Sequence, residues 1–152
     1  MKIYLAGPDV FRPDAQAWAD NARLLCKHYG FEAMTPMDHN ESDPHKIFET
    51  NLALITMSQV VCANLDPFRG HEPDSGTAFE VGFGLALGKK VMGYVSSRQT
   101  TVERIGAQVD ANGYKVEDFG LPLNLMLAIP CQVVAGGLEE CLKTIRAKPA
   151  SQ

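Results

Sequence analysis

Short apolar runs alternate with longer amphipathic stretches along this chain, and that rhythm predicts its elements. Lys2-Ile3-Tyr4-Leu5-Ala6 reads as a buried strand, stopped by Gly7-Pro8. Asp14 to Tyr29 carries a helical pattern through Ala17, Trp18, Ala22, Leu25 and Cys26, and ends before Gly30. Phe31 to Thr35 forms a short second strand. A polar loop, His39 to Pro44, leads into a helix near His45 to Ser58, with Ile47, Phe48, Leu52 and Ile55 as its stripe. Val60 to Leu65 is a third buried strand and Lys90 to Val95 a fourth. Cys131 to Val134 is a fifth, and Leu138 to Ala147 an amphipathic closing helix. Strands alternating with helices indicate a doubly wound, mostly parallel five-stranded α/β sheet, flavodoxin- or Rossmann-like, with helices on both faces.

The chain is organised around Asp74 to Gly88. Asp74 and Ser75 suit a helix N-cap, and Gly88 followed by Lys89 and Lys90 suits a stop. The helix between them is apolar nearly all the way round, which predicts burial. Glu80 is its one charged residue from Ser75 to Gly88. A glutamate among apolar neighbours is paired or has a task. In the early turns, the partial positive charge of the N-terminus favours its ionised form, which can serve as a nucleophile. Gly76, Gly82 and Gly84 suggest close approach of a backbone, a ligand or another subunit.

Ligands of open parallel sheets bind beyond the carboxyl ends of the strands. Gly7 and Phe11 follow the first strand, Asp38 the second, and Asp66 to Asp74 the third, so polar and aromatic residues collect at that edge. Together with Tyr4, Asn51 and Glu80, these carboxylates suit an uncharged polyhydroxylated ligand, and Phe11 suits stacking on a planar base. An ionised Glu can attack an oxocarbenium-like centre. Each residue also has an ordinary structural use: Tyr4 in a core, Asp38 and Asp74 in turns or caps, Asp66 at a strand end, Phe11 as a core cover.

The 152 residues and net charge of −4 fit one globular domain, residues 1–148, with a frayed tail at 149–152. No basic stripe invites a nucleic-acid polymer, and no apolar run approaches a membrane span. Cys26, Cys62, Cys131 and Cys141 form no ligand pattern, so no metal or redox cofactor is implied and a reducing cytoplasm is expected.

Three segments resemble the nucleoside 2-deoxyribosyltransferases, most nearly their trypanosomatid and bacterial branch. They are Ile3-Tyr4-Leu5-Ala6-Gly7-Pro8, the block Asn64-Leu65-Asp66-Pro67-Phe68-Arg69-Gly70-His71-Glu72-Pro73-Asp74-Ser75-Gly76-Thr77-Ala78-Phe79-Glu80-Val81-Gly82, and Phe119-Gly120-Leu121-Pro122-Leu123-Asn124-Leu125-Met126. The resemblance implies exchange of nucleobases on 2′-deoxyribonucleosides through a covalent deoxyribosyl-enzyme, with net retention. It makes Glu80 the nucleophile, Tyr4 the residue that holds it, and Asp74 the partner of a sugar hydroxyl. Gly7, Phe11, Asp38, Asn51 and Asp66 are expected around the substrate. Asn124 and Met126 match residues that a neighbouring subunit contributes, so a homo-oligomer, dimer or hexamer, is expected. At Asn51 some members carry an aspartate that touches the base. Asparagine is no general acid, so either Asp38, Asp66 or solvent handles the base's proton or its protonation is less demanding here, and the choice between purines alone and purines with pyrimidines stays open. Two other readings stand beside this one. The first is an N-glycosidase acting on 2′-deoxynucleoside 5′-monophosphates, which an inward-pointing Arg69 would favour; the second is a non-catalytic nucleotide sensor.

Overall fold

In the computed structural model, which describes residues 1–39 and 41–147, five parallel strands lie in the order β2-β1-β3-β4-β5. The strands are β1 (Lys2–Ala6), β2 (Glu32–Met34), β3 (Val60–Asn64), β4 (Lys90–Val95) and β5 (Gln132–Ala135). The helices are α1 (Ala15–His28), α2 (Pro44–Met57), α3 (Ser75–Ala86), α4 (Thr101–Ile105), α5 (Leu125–Ala128) and α6 (Leu138–Ala147). The expected doubly wound sheet is present. The short helices α4 and α5 fall where the apolar pattern marks no element. The tail expected at 149–152 lies outside the described residues.

The side chains of β1 show how the layers form. Tyr4 and Ala6 point into the core shared with Ile55 of α2 and Val81 of α3. Ile3 and Leu5 point the other way, into a core with Ala22 and Cys26 of α1 and Leu142 and Ile145 of α6. This strand is buried on both faces, which is why its sequence is apolar without alternation. The order of strands reverses direction between β1 and β3, and a crevice opens there beyond their carboxyl ends.

Glycines set two close approaches at that crevice. A Cβ on Gly84 would lie 2.8 Å from Val61 Cγ2, so α3 sits directly on β3. A Cβ on Gly7 would lie 2.8 Å from Asp9 Oδ2 and 2.9 Å from Asn64 Cβ, where the turn after β1 meets the end of β3. Gly82 has open space around it, so the close approach expected there does not occur within one chain.

The central helix departs from expectation. Only Thr77, Val81 and Gly84 of α3 are buried, while Phe79 is 51% exposed and Leu87, at its C-cap, 42%. One face of α3 covers the sheet, and α2 covers only part of the rest. Phe79 therefore meets Phe48 of α2 at the surface, their ring centroids 5.9 Å apart.

Candidate active site

The N-terminal turn of α3 forms one wall of the crevice. Asp74 caps the helix: its Oδ2 accepts from the backbone N–H of Thr77 at 2.9 Å and from the Thr77 hydroxyl at 3.0 Å. One helical turn further on, Glu80 faces Tyr4, which β1 presents from the core. The fully buried Tyr4 hydroxyl donates to Glu80 Oε1 at 2.5 Å. Among the described residues no protein donor engages the second oxygen of Glu80.

Burial pushes the Glu80 carboxyl up to about 7, and the nearby Asp74 charge adds to that rise. The hydrogen bond from Tyr4 works in the opposite direction. The ionised state expected from the helix N-terminus is thus opposed by desolvation, and near neutrality both protonation states are populated. Burial, reinforced by the Glu80 charge and hydrogen bond, holds the Tyr4 phenol far above its usual value, so Tyr4 stays a donor.

Glu80, Asp74, Gly7, Phe11 and Asn51 line a single cavity of about 520 Å³, together with Gly76 and Thr77 of α3. Met37, His39, Glu41 and Ile47 complete much of its far side. Its wall carries three carboxylates and, among the described residues, no Lys or Arg. Phe11 stacks on Phe68 with ring centroids 5.5 Å apart. Arg69 lies over both rings, 5.0 and 4.6 Å from their centroids, and does not line the cavity.

The other expected residues lie elsewhere. Asp38 Oδ1 accepts from Arg23 Nη2 at 2.6 Å and from the Thr35 hydroxyl at 2.8 Å, and Oδ2 accepts from Thr35 N at 2.9 Å. Those bonds to Arg23 and Thr35 outweigh its partial burial and hold its carboxyl below the usual range. Asp66 Oδ1 accepts from the backbone and hydroxyl of Ser96 at 2.7 and 2.8 Å, tying the end of β3 to that of β4. Neither acid lines the cavity. Asn124 caps α5, accepting from Met126 N at 3.0 Å and donating to Glu117 Oε1 at 2.8 Å. With Met126 it borders a second cavity of about 570 Å³ on the opposite flank of α3, beside Ala78, Val81 and Gly82.

Pattern reading passed over His39 and Glu41, because both sit in a polar loop with no periodicity. Their one sequence signal is that the loop follows a strand on the binding edge. Among the described residues no group of three or more His, Cys, Asp or Glu could hold a metal ion, and no helix is long and apolar enough to cross a membrane.

Residues 3–126 match the family model for nucleoside 2-deoxyribosyltransferase. A 2-deoxyribosyltransferase from Leishmania mexicana superposes with a TM-score of 0.90 at 36% identity, covering 97% of this chain and 98% of that one. A CMP N-glycosidase from Clostridium botulinum shares the fold at a TM-score of 0.56 and 14% identity, over 97% of this chain and 100% of that one. An uncharacterised protein of Schizosaccharomyces pombe is 32% identical over 113 residues, 68% of this chain; the match spans about half of that relative's length, 54%. With the family model spanning most of the chain and the Leishmania fold superposing end to end, the protein belongs to the nucleoside 2-deoxyribosyltransferase family.

Proposed function

We propose that the protein exchanges the nucleobase of 2′-deoxyribonucleosides by a retaining double displacement through a deoxyribosyl ester on Glu80. The observation that carries this reading is the Tyr4–Glu80 hydrogen bond at the wall of a cavity large enough for a nucleoside. Tyr4 fixes one carboxylate oxygen and leaves the other free to attack C1′. The C1′–N bond then breaks with its electron pair passing to the base, and a second base attacks C1′ from the vacated side to release the carboxylate. Asp74 spends Oδ2 on Thr77, which leaves Oδ1 to accept from a sugar hydroxyl.

A wall without Lys or Arg favours a nucleoside over its 5′-monophosphate, since a phosphate calls for cationic donors. The Arg69 guanidinium lies over the rings of Phe11 and Phe68 and does not itself line the cavity. The exposed Met126, Phe48 and Phe79 support a homo-oligomer in which Asn124 and Met126 complete a neighbour's site. Four buried free cysteines suit a reducing compartment, the cytoplasm.

Incubation with 2′-deoxyinosine, with and without adenine, tests the reading by chromatography. 2′-Deoxyadenosine forms only when adenine is present, and Glu80→Ala forms none. Hypoxanthine release at one rate regardless of adenine would make the protein a hydrolase instead.

A further inference from the structure

We propose that His39 is a further catalytic residue: it donates a proton to the departing nucleobase and recovers one from the incoming base. The proposal rests on the base-exchange reading and names the group that serves the base at that same cavity. A base that leaves as an anion is a poor leaving group, and a positioned acid removes that barrier.

The titratable side chains on the cavity wall are His39, Glu41, Asp74 and Glu80. Glu80 is the nucleophile, and Asp74 is held at the helix cap by Thr77. Glu41 accepts from the backbone N–H groups of Ser42 and Asp43 at 2.9 and 3.2 Å, bonds that hold its carboxyl below its usual value. An acid so stabilised as its anion has no proton to give. Asp38 and Asp66, the acids expected to serve the base, are spent on Arg23, Thr35 and Ser96 outside the cavity. His39 is the group left.

Its placement suits the task. Asn51 and Glu80 line both the main cavity and a smaller one adjoining it, so α2 sets Asn51 beside the nucleophile. His39 Nε2 lies 3.4 Å from Asn51 Oδ1, too long for a strong hydrogen bond and therefore open to a better acceptor. Among the described residues, His39 Nδ1 is buried without a partner. A histidine kept for packing has its buried ring nitrogen satisfied, and a partner there would lock the tautomer. Among the described residues nothing holds Nδ1, and the Asn51 amide oxygen favours a proton on Nε2 and aims that edge.

The proton balance closes over the two half-reactions. As Glu80 bonds to C1′ and the C1′–N9 pair passes to a purine, the His39 Nε2 proton moves to N7, and base and imidazole both part neutral. The incoming base, in its N7–H form, then attacks C1′ through N9. The C1′–O pair returns to Glu80, and the N7 proton returns to Nε2.

The test compares 2′-deoxyinosine with 7-methyl-2′-deoxyguanosine, whose base leaves neutral without any added proton. Release of the first base from each, in a single turnover with enzyme in excess and no acceptor base added, is followed for the wild type and His39→Gln. The expected result is a loss of about 10²-fold on 2′-deoxyinosine and little change on the methylated nucleoside, which also shows that the variant is folded. Equal losses on both substrates, or none on either, overturn the proposal while leaving base exchange intact. A wild type inert on both overturns base exchange itself. Should the wild type reject only the methylated nucleoside, free imidazole decides with His39→Ala: restored base release from 2′-deoxyinosine supports the proposal, and no restoration overturns it.

Discussion

The two faces of the sheet are built to different standards. On the α1–α6 face, Ile3, Leu5, Cys26, Cys62, Leu142 and Ile145 are each no more than 3% exposed, and Cys62 Sγ meets Cys141 Sγ at 2.8 Å. On the α2–α3 face, Phe48 and Phe79 are half exposed, a carboxylate sits in the wall, and two sizeable cavities flank α3. Both faces rest on the same strands, so strand burial does not separate them. The difference is that α3 carries Gly76 at one cavity and Gly82 at the other, where larger side chains would fill the space, while Gly84 sets the helix directly on Val61. Complete packing confers stability, and the proposed chemistry occupies the face where packing is left incomplete.

The contrast predicts that activity and stability respond to different substitutions. Glu80→Ala removes the proposed nucleophile and should lower base exchange by about 10⁴-fold or more, measured by product formation at saturating adenine. Leu142→Ala, on the closed face, should do the reverse. It opens a cavity costing about 3 kcal/mol in a denaturant melt, with exchange activity per folded molecule unchanged.

Glu80→Gln tests whether the open face carries a stability cost. Burial raises the folded-state carboxyl to about 7, above its unfolded value, so its favourable contribution is full at acid pH and is lost as pH rises through 7. Glutamine does not ionise. The variant should match the wild type near pH 4 and exceed it by about 2 kcal/mol above pH 8; equal thermal melts at both pH values would refute this. The same titration makes wild-type exchange rise with pH through about 7 on its acid limb. Tyr4→Phe removes the bond that lowers the Glu80 carboxyl, so that limb should move to higher pH. Exchange at neutrality should fall about tenfold, the scale of one charge-assisted hydrogen bond. The smallest change concerns the exposed rings. Phe79→Ser should cost under about 1 kcal/mol of monomer stability yet shift the elution volume toward smaller species in size-exclusion chromatography.

Glu80 and Asp74 were conspicuous in the sequence, one as a lone charge in an apolar helix, the other as a cap residue three positions before Thr77. His39 was not, because a histidine in an aperiodic loop carries no local signal. Asp38 and Asp66 showed the opposite failure. Their position after strands marked them for the site, yet Arg23 of α1 and Ser96 beyond β4 hold them away from it. Such partners depend on which helix crosses which strand end, and apolar periodicity does not encode that. The burial expected of α3 failed for a related reason: an all-apolar helix needs a cover on every side, and one chain supplies only part of it.

By itself the sequence determined the succession of strands and helices, and through it a parallel sheet with its binding edge, because period and turn chemistry act over a few neighbouring residues. The family resemblance named Tyr4 as the holder of Glu80, 76 positions away; tertiary structure alone decided that burial moves that carboxyl to about 7 and that Asn124 and Met126 lie on the far flank of α3. Hydrogen-bond partners and desolvation are properties of residues brought together by the fold, and no local pattern records them.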